Sequence, residues 1–443
     1  MSEASLTPQV TGGPAPRAEA MPWSLTKRIA FRFCFLYFTL YVVAAQMLGS
    51  LFPFVDFTEL GTLRYPRAVV EWVAKHFFRV TAQLVVTDSG SGDKTFDWVQ
   101  TFCILILAIV GTAVWSLLRR GPKNYSKLYA WFRVFIRFSL AATMLTYALF
   151  KVVPLQMNFP RLARLLEPYG NFSPMGVLWA SIGASKAYEI ITGCAELAGG
   201  IFLFSPRTTT FGALICLADT IEVFSLNMTY DVPVKLFAFH LILLAVFLLA
   251  PDARRLANVF FLNRPVAPSA ETPLFRGARA NRIALAAQIL FGVALVGMNF
   301  YASMQEYKTF GEGAPKSPLY GIWNVEDFSL DGQPHPPLLT DAERWRRLVF
   351  EFPKFMTLQH MDEANTLYGA TIDMKAGSVA LMKSSDKNWK AAFSFSQPAT
   401  GKLILDGEMD GHKIHAQLEL FDRSKFLLVK GGFHWIQEFP VNR

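Results

Sequence analysis

The chain has 443 residues, of which 52% are hydrophobic and only 17% are charged. This composition is too apolar for a soluble protein of this size and indicates an integral membrane protein. The net charge of +9 comes from Lys and Arg residues at the ends of apolar segments, which argues against a nucleic-acid-binding protein. The four cysteines lie inside apolar segments without CxxC or metal-ligand spacing, so we expect neither a disulfide framework nor a zinc site.

Residues 1–27 are rich in Ala, Pro, Gly and Ser. They contain too few large apolar side chains to fold, which predicts a disordered cytoplasmic tail. The apolar run Phe33–Phe54 is long enough to cross about 30 Å of hydrocarbon, and the polar leader before it favours an uncleaved anchor over a signal peptide. Residues 66–86 carry charged side chains at i, i+4 spacing, which predicts an amphipathic helix on the non-cytoplasmic surface of the membrane. Residues 28–129 are therefore predicted to form two transmembrane helices joined by an outer amphipathic loop.

Six further apolar segments are long enough to span a bilayer. They lie at 99–118, 132–153, 186–204, 210–227, 234–250 and 283–303. The leader and the loops after the second and sixth spans are rich in Lys and Arg, so seven crossings place the N-terminus in the cytoplasm and the C-terminal domain outside. This pattern predicts a multi-pass protein of a bacterial-type cytoplasmic (inner) membrane. Residues 261–304 are assigned to the last cytoplasmic loop and the seventh span, and the proline-rich 154–185 to short elements across the outer mouth.

The sequence changes character at 305–443, where short runs of alternating apolar residues are separated by turn residues. Asp-Gly at 410–411 predicts a β-hairpin, and further turns are expected at 375–378 and 399–401. About eight to ten strands that pair with their sequence neighbours predict an exported up-and-down barrel. Thr340–Glu343 has the spacing of a capping box, which predicts one short helix before Trp345. Gly321–Trp323 resembles the Gly-x-Trp opening of lipocalin-like barrels, in which the tryptophan closes the floor; an ordinary core tryptophan is the alternative.

Polar, aromatic and glycine residues recur along the third to sixth spans. They are Arg137, Tyr147, Lys151, Gln156, Met157, Ser173–Gly176, Trp179, Tyr188, Gly193, Glu196, Gly199, Gly200 and the segment 226–236. Together they resemble the DoxX-like membrane family over roughly 130–260, and especially its larger members, which have an appended β-rich region. The C-terminal end of those larger members is also similar to residues 433–443. The resemblance implies an α-helical polytopic protein in which the third to sixth spans form a four-helix bundle. Ala148 departs from the family, which commonly has glycine there. Some relatives are subunits of quinone-linked or thiol-linked oxidoreductases, so the resemblance implies envelope redox proteins as partners and a quinone as a candidate cofactor.

Ionisable side chains inside the spans favour a protein interior over lipid, because charges in hydrocarbon are costly. Helix-depth arithmetic places most of them at similar heights, which predicts one polar pocket between the third and sixth spans that opens outward. Glu196 and Asp219 lie closest to the midplane and are our candidate catalytic proton donors or acceptors. Lys151 or Lys235 would hold an anionic or quinone oxygen. The candidate binding residues are Lys151, Tyr147, Glu189, Glu222, Asn227, Lys235 and His240. His240 has no second histidine nearby, so we expect no metal site.

Three functions fit these features. The leading one is a membrane subunit of an envelope redox or quinone-linked system, whose β domain binds a lipid-like ligand or a partner protein. The second is a non-enzymatic envelope scaffold, in which buried ion pairs only fix helix packing. The third is a proton-coupled transporter of small solutes, although no inverted repeat is visible. Whether the chain is an enzyme stays open at this point.

Overall fold

The structure is a computed structural model that describes residues 22–45, 47–52, 60–87, 89–118, 124–269, 272–386 and 388–440. The first 21 residues of the predicted tail and the last three residues of the C-terminal motif lie outside these ranges. The chain divides into two compact units. One comprises Met1–Leu140, Leu203–Thr210 and Leu243–Leu290, and the other comprises Ala141–Phe202, Phe211–Ile242 and Phe291–Arg443. The predicted polar pocket and the β region both belong to the second unit.

The α-helices are numbered in chain order. They are α1 (Leu25–Ala44), α2 (Met47–Leu51), α3 (Arg64–His76), α4 (Thr95–Leu118), α5 (Ser126–Val152), α6 (Leu162–Leu166), α7 (Pro174–Gly183), α8 (Lys186–Phe202), α9 (Thr209–Thr229), α10 (Lys235–Leu249), α11 (Ala253–Phe260), α12 (Ala278–Phe310) and α13 (Leu427–Lys430). The proline-rich segment after α5 contains only the short helices α6 and α7 and one 3-10 turn, in agreement with the prediction.

Within the described ranges, five helical segments are long and apolar enough to cross a membrane. They are Thr95–Leu118, Ser126–Val152, Pro206–Thr229, Lys235–Phe260 and Ala278–Phe310. These segments coincide with the second, third, fifth, sixth and seventh predicted spans and indicate a membrane protein. The first and fourth predicted spans form α1 and α8, but α1 carries three basic residues and α8 has only 17 residues. Seven crossings therefore stay a prediction.

Helices α1 and α3 in the first unit differ in their bounds from the sequence-based prediction. α1 begins at Leu25, inside the predicted tail, and ends at Ala44. The amphipathic helix α3 ends at His76, ten residues before the predicted end. The backbone of Arg79 adopts the left-handed conformation (φ 56°), and the Val80 N–H donates to the Ala74 carbonyl at 3.0 Å, which turns the chain away from the helix axis. Local backbone geometry therefore overrides the continuing amphipathic pattern.

The β region of the second unit is a closed antiparallel barrel. Its strands are β1 (Gly321–Leu330), β2 (Gln333–Pro334), β3 (Trp345–Phe350), β4 (Phe355–His360), β5 (Asn365–Asp373), β6 (Ser378–Met382), β7 (Lys390–Ser396), β8 (Lys402–Met409) and β9 (His412–Leu420). β3 to β9 pair in sequence order, and β1 pairs with both β3 and β9, which closes eight strands into a barrel. β2 is a two-residue addition to β1. The predicted up-and-down barrel is confirmed, and its closure leaves those eight strands without a free edge.

Local turn geometry confirms one predicted hairpin of the barrel and replaces one predicted helix. Asp410 and Gly411 both have positive φ (53° and 85°), as the predicted two-residue hairpin between β8 and β9 requires. The predicted short helix at Thr340–Glu343 is wrong. Asp341 Oδ1 instead accepts hydrogen bonds from the backbone N–H groups of Glu343 (3.0 Å) and Arg344 (3.1 Å), forming a turn that leads directly into β3. The Asp341 carboxylate, which lies inside the predicted capping box, therefore stabilises a turn in place of a helix.

Apolar side chains from all eight closing strands fill the barrel interior. They include Val325, Phe328, Trp345, Leu348, Phe350, Leu358, Tyr368, Leu381, Phe393, Leu403, Leu405, Ala416 and Leu418. Trp323 lies among them, is only 3% exposed, and donates from its indole Nε1 to the Leu319 carbonyl at 2.9 Å. The Gly-x-Trp tryptophan is thus a core residue that ties the start of β1 to the segment before it.

Trp323→Phe should destabilise the barrel by about 1 kcal/mol, because the Leu319 carbonyl loses its buried donor. Protease cleavage of the full-length protein at increasing urea concentrations measures this change, because the destabilised barrel should be lost at a lower urea concentration. Trp435→Phe is the matched control, since Trp435 is 92% exposed. Equal urea midpoints for the two variants would show that the indole hydrogen bond does not stabilise the barrel.

Candidate functional site

The second unit contains a cavity of about 530 Å³ among α5, α7, α8, α9 and α10. This volume falls in the range of small-molecule sites, whose walls are usually apolar with a few convergent polar groups. Most of the wall is apolar, with Trp179, Ile182 and Phe237 among its larger members. The polar lining residues are Tyr147, Lys151, Gln156, Tyr188, Thr192, Glu196, Asp219, Thr220, Glu222 and Asn227.

An ion pair joins α5 to α8 at the cavity wall. Lys151 Nζ donates a hydrogen bond to Glu196 Oε1, and the two residues are only 8% and 3% exposed. Gly193 permits this contact, because a Cβ at that position would lie 2.7 Å from Lys151 Cβ and 2.9 Å from the Ala148 carbonyl oxygen. A buried pair of this kind holds two helices together only while both partners are present.

Carboxylate oxygens outnumber donors in the charged part of the wall. Asp219 and Glu222 on α9 join Glu196, whereas Lys151 is the one lysine among the lining residues of this cavity. Asp219 interacts electrostatically with Glu196, Glu222 and Lys151. Glu196 Oε2 and Asp219 Oδ2 are buried atoms that accept no hydrogen bond from any described residue. Buried acceptors normally have a donor, so these two oxygens are available to a ligand or a proton.

Six of the nine predicted site residues line this cavity. They are Tyr147, Lys151, Glu196, Asp219, Glu222 and Asn227. The amide of Asn227 also donates to the Val234 carbonyl at 3.4 Å, across the connection between α9 and α10. The structure thus brings together predicted residues from α5, α8 and α9.

The other three predicted residues lie outside the lining. Glu189 is fully buried and accepts a hydrogen bond from the Met157 N–H at 2.9 Å, which ties α8 to the segment after α5. Lys235 Nζ pairs with Asp231 Oδ1 at 2.8 Å, just before α10. His240 is buried, and its Nδ1 lies 2.7 Å from the Leu236 carbonyl oxygen on the same helix. Each of the three side chains therefore has a contact within the chain.

Several residues of the cavity wall were not predicted, because they carry no charge. Leu178, Trp179 and Ile182 come from α7, which has no ionisable side chain to attract attention. Trp179, Tyr188, Gln156 and Met157 belong to the set that resembles the DoxX-like family, so that resemblance was the available signal. Thr192 lies four residues before Glu196 and shares its helix face.

The wall between α8 and α9 contains exposed residues. Ile191 and Ala195 on α8 and Ala218 and Glu222 on α9 line the cavity and are exposed. The cavity therefore opens at the surface of the second unit between α8 and α9, and the Glu222 carboxylate lies at this opening.

No protein-family model matches the sequence, and no solved structure matches it at a significant level. A stretch of 131 residues, 30% of the chain, is 28% identical to the "Uncharacterized protein YwoB" of Bacillus subtilis (strain 168) and covers 80% of that protein. This similarity carries no function with it, and membership of the DoxX-like family stays a prediction.

Proposed function

We propose that this chain is a DoxX-like membrane subunit of an envelope redox system and that its helical cavity binds a small amphiphile, with a quinone as the leading candidate. In this proposal the N-terminus is cytoplasmic and the barrel lies outside an inner membrane. The observation that supports it most is the combination of an apolar cavity of about 530 Å³ with one lysine and two carboxylate oxygens that accept no hydrogen bond from the described residues.

The polar residues have chemistry that suits a quinone. A bound quinone would supply a two-electron, two-proton redox couple. Lys151 Nζ has two protons beyond the one donated to Glu196 and can donate to a ligand oxygen. Asp219 Oδ2 and Glu196 Oε2 can accept a proton or return one at the same wall. The apolar side chains of α7 and α10 would exclude water from the ring.

Mass spectrometry of small molecules extracted from the full-length protein in nanodiscs tests this proposal. We expect the ligand to copurify with the wild type as quinone or quinol. The quinol should fall by about tenfold in Asp219→Asn, because its hydroxyl would lose a charge-assisted hydrogen bond to the Asp219 carboxylate. Glu306→Gln, at an exposed carboxylate of α12, is the matched control and should retain the quinol. Quinone and quinol no higher than in empty nanodiscs would contradict the proposal.

A non-enzymatic scaffold is the second candidate, and two observations favour it. The barrel interior is filled by its own side chains, and the Lys151–Glu196 pair fixes the packing of α5 on α8 without any ligand. A scaffold needs its barrel, so a chain ending at residue 305 should fail to restore the phenotype of a deletion strain. Restoration by that shortened chain would remove the scaffold as an explanation.

A further inference from the structure

A second cavity, of about 310 Å³, lies in the second unit at the end of the barrel where β1 begins and β3 and β9 end. Its wall is formed by the segment before α6, the start of α8, the end of α12, and residues next to β1, β3 and β9. Four basic side chains line it, from Arg161, Lys186, Lys316 and Arg423, against the two carboxylates of Glu312 and Glu351. Basic side chains therefore outnumber acidic ones in this cavity, whereas acidic side chains outnumber basic ones in the helical cavity.

Aromatic rings hold three of these cations in place. The guanidinium carbon of Arg161 lies 4.8 Å from the ring centre of Phe352, and that of Arg423 lies 5.5 Å from the ring centre of Phe159. Lys316 Nζ lies 4.6 Å from the ring centre of Tyr320. Stacking on a ring leaves the in-plane donors of a guanidinium available for a further partner and limits the entropy lost on binding.

The two carboxylates are already engaged. Glu312 forms a hydrogen-bonded ion pair with Lys186. Glu351 accepts a hydrogen bond from the Leu162 N–H at 3.3 Å, and burial raises the pKa of its carboxyl group. Neither arginine donates a hydrogen bond to Glu351 in the described structure, although both lie near enough to attract its charge.

Arg423 has donor groups that the surrounding residues do not satisfy. Its Nε is a buried atom with no hydrogen-bond partner in the described ranges, and its Nη1 reaches only the Tyr320 hydroxyl, at 3.4 Å. A buried guanidinium nitrogen without an acceptor is costly, so an acceptor from outside the chain would stabilise this arrangement.

We infer that this cavity binds the phosphate group of an anionic ligand, either a lipid headgroup or free phosphate. Guanidinium groups match the spacing of phosphate oxygens and bind them through paired charge-assisted hydrogen bonds. A cavity of about 310 Å³ accommodates a headgroup but not a whole lipid. The start of α8 and the end of α12 border the cavity, and α12 is long and apolar enough to cross a membrane, so its end would lie at the level of the headgroups. The inference does not depend on the ligand of the helical cavity.

Native mass spectrometry of the full-length protein in detergent tests the site with phosphatidylglycerol, phosphatidylcholine and inorganic phosphate. We expect the wild type to prefer phosphatidylglycerol over phosphatidylcholine. The double change Arg161→Gln/Arg423→Gln should weaken phosphatidylglycerol binding by about tenfold or more, because two charge-assisted contacts are lost. The matched control is Arg346→Gln/Lys402→Gln, which removes two barrel cations paired with Glu363 and Glu419 outside the cavity.

Inorganic phosphate distinguishes the two sources of the ligand. Displacement of phosphatidylglycerol by millimolar phosphate would assign the site to a soluble phosphate compound, and resistance to displacement would assign it to a lipid headgroup. Lys316 is exposed and forms no hydrogen bond with the described residues, so Lys316→Gln keeps the test valid if the double variant does not fold. It should weaken binding by roughly threefold, as expected for one partly screened charge. Unchanged affinity in Lys316→Gln, or an equal loss in the control pair, would overturn the inference.

Discussion

Lys151→Met should lower the stability of the folded protein by about 3–5 kcal/mol, because it leaves the Glu196 carboxylate buried without its partner. Both residues are almost fully buried where α5 packs on α8. The double variant Lys151→Met/Glu196→Gln should regain much of this loss, since neither charge then remains unpaired. Unfolding midpoints of the full-length variants in detergent measure the effect.

Lys235→Met is the matched control for this cycle. It removes the same side chain from a pair whose partner, Asp231, has a side chain that is 84% exposed, so we expect a loss of at most about 1 kcal/mol. Equal losses for Lys151→Met and Lys235→Met would mean that the pair at the cavity wall behaves like a surface pair. The double variant would then show no recovery, and the packing role of Lys151 would be refuted.

Gly193→Ala should destabilise the protein by up to about 3 kcal/mol, because a new methyl group would overlap Lys151 and the backbone of α5. The added Cβ would lie 2.7 Å from Lys151 Cβ and 2.8 Å from the Val152 nitrogen, and backbone atoms cannot move aside as a flexible side chain can. Separation of α5 and α8 should also reduce the yield of monodisperse protein in size-exclusion chromatography.

Gly297→Ala provides the comparison for Gly193→Ala. Gly297 lies in α12, and a Cβ there would meet no atom of the described residues within 4 Å. The change should be neutral or stabilise the helix by about 0.5–1 kcal/mol, the usual gain of Ala over Gly. A loss at position 297 as large as that at position 193 would show that the close approach of α5 and α8 at Gly193 does not cause the effect.

The parts of the fold with strong local signals could be predicted from the sequence. Hydropathy over about 20 residues locates α4, α5, α9, α10 and α12, because a span needs that length. Asp-Gly at 410–411 fixes a hairpin, because both residues tolerate positive φ. The closure of β1 on β9 follows from the number of strands and their order rather than from any single motif.

Other parts depend on tertiary contacts that no local pattern reports. Depth arithmetic gives the height of a side chain but not the direction in which it points, which is why Glu189 and His240 lie outside the cavity lining although their heights were similar. The contribution of α7 to the cavity wall could not be predicted from charge, because α7 has no ionisable side chain. The turn at Asp341 replaced a predicted helix because one side chain satisfied two backbone donors locally.

Cryo-electron microscopy of the full-length protein in nanodiscs made from its native membrane is the most direct test of the proposed binding site. The account predicts density for a molecule that is not part of the chain inside the cavity of α5, α7, α8, α9 and α10, with a polar atom within hydrogen-bond distance of Lys151 or Asp219. A cavity that has collapsed, or one that holds only lipid acyl chains with no polar contact to these two residues, would contradict it.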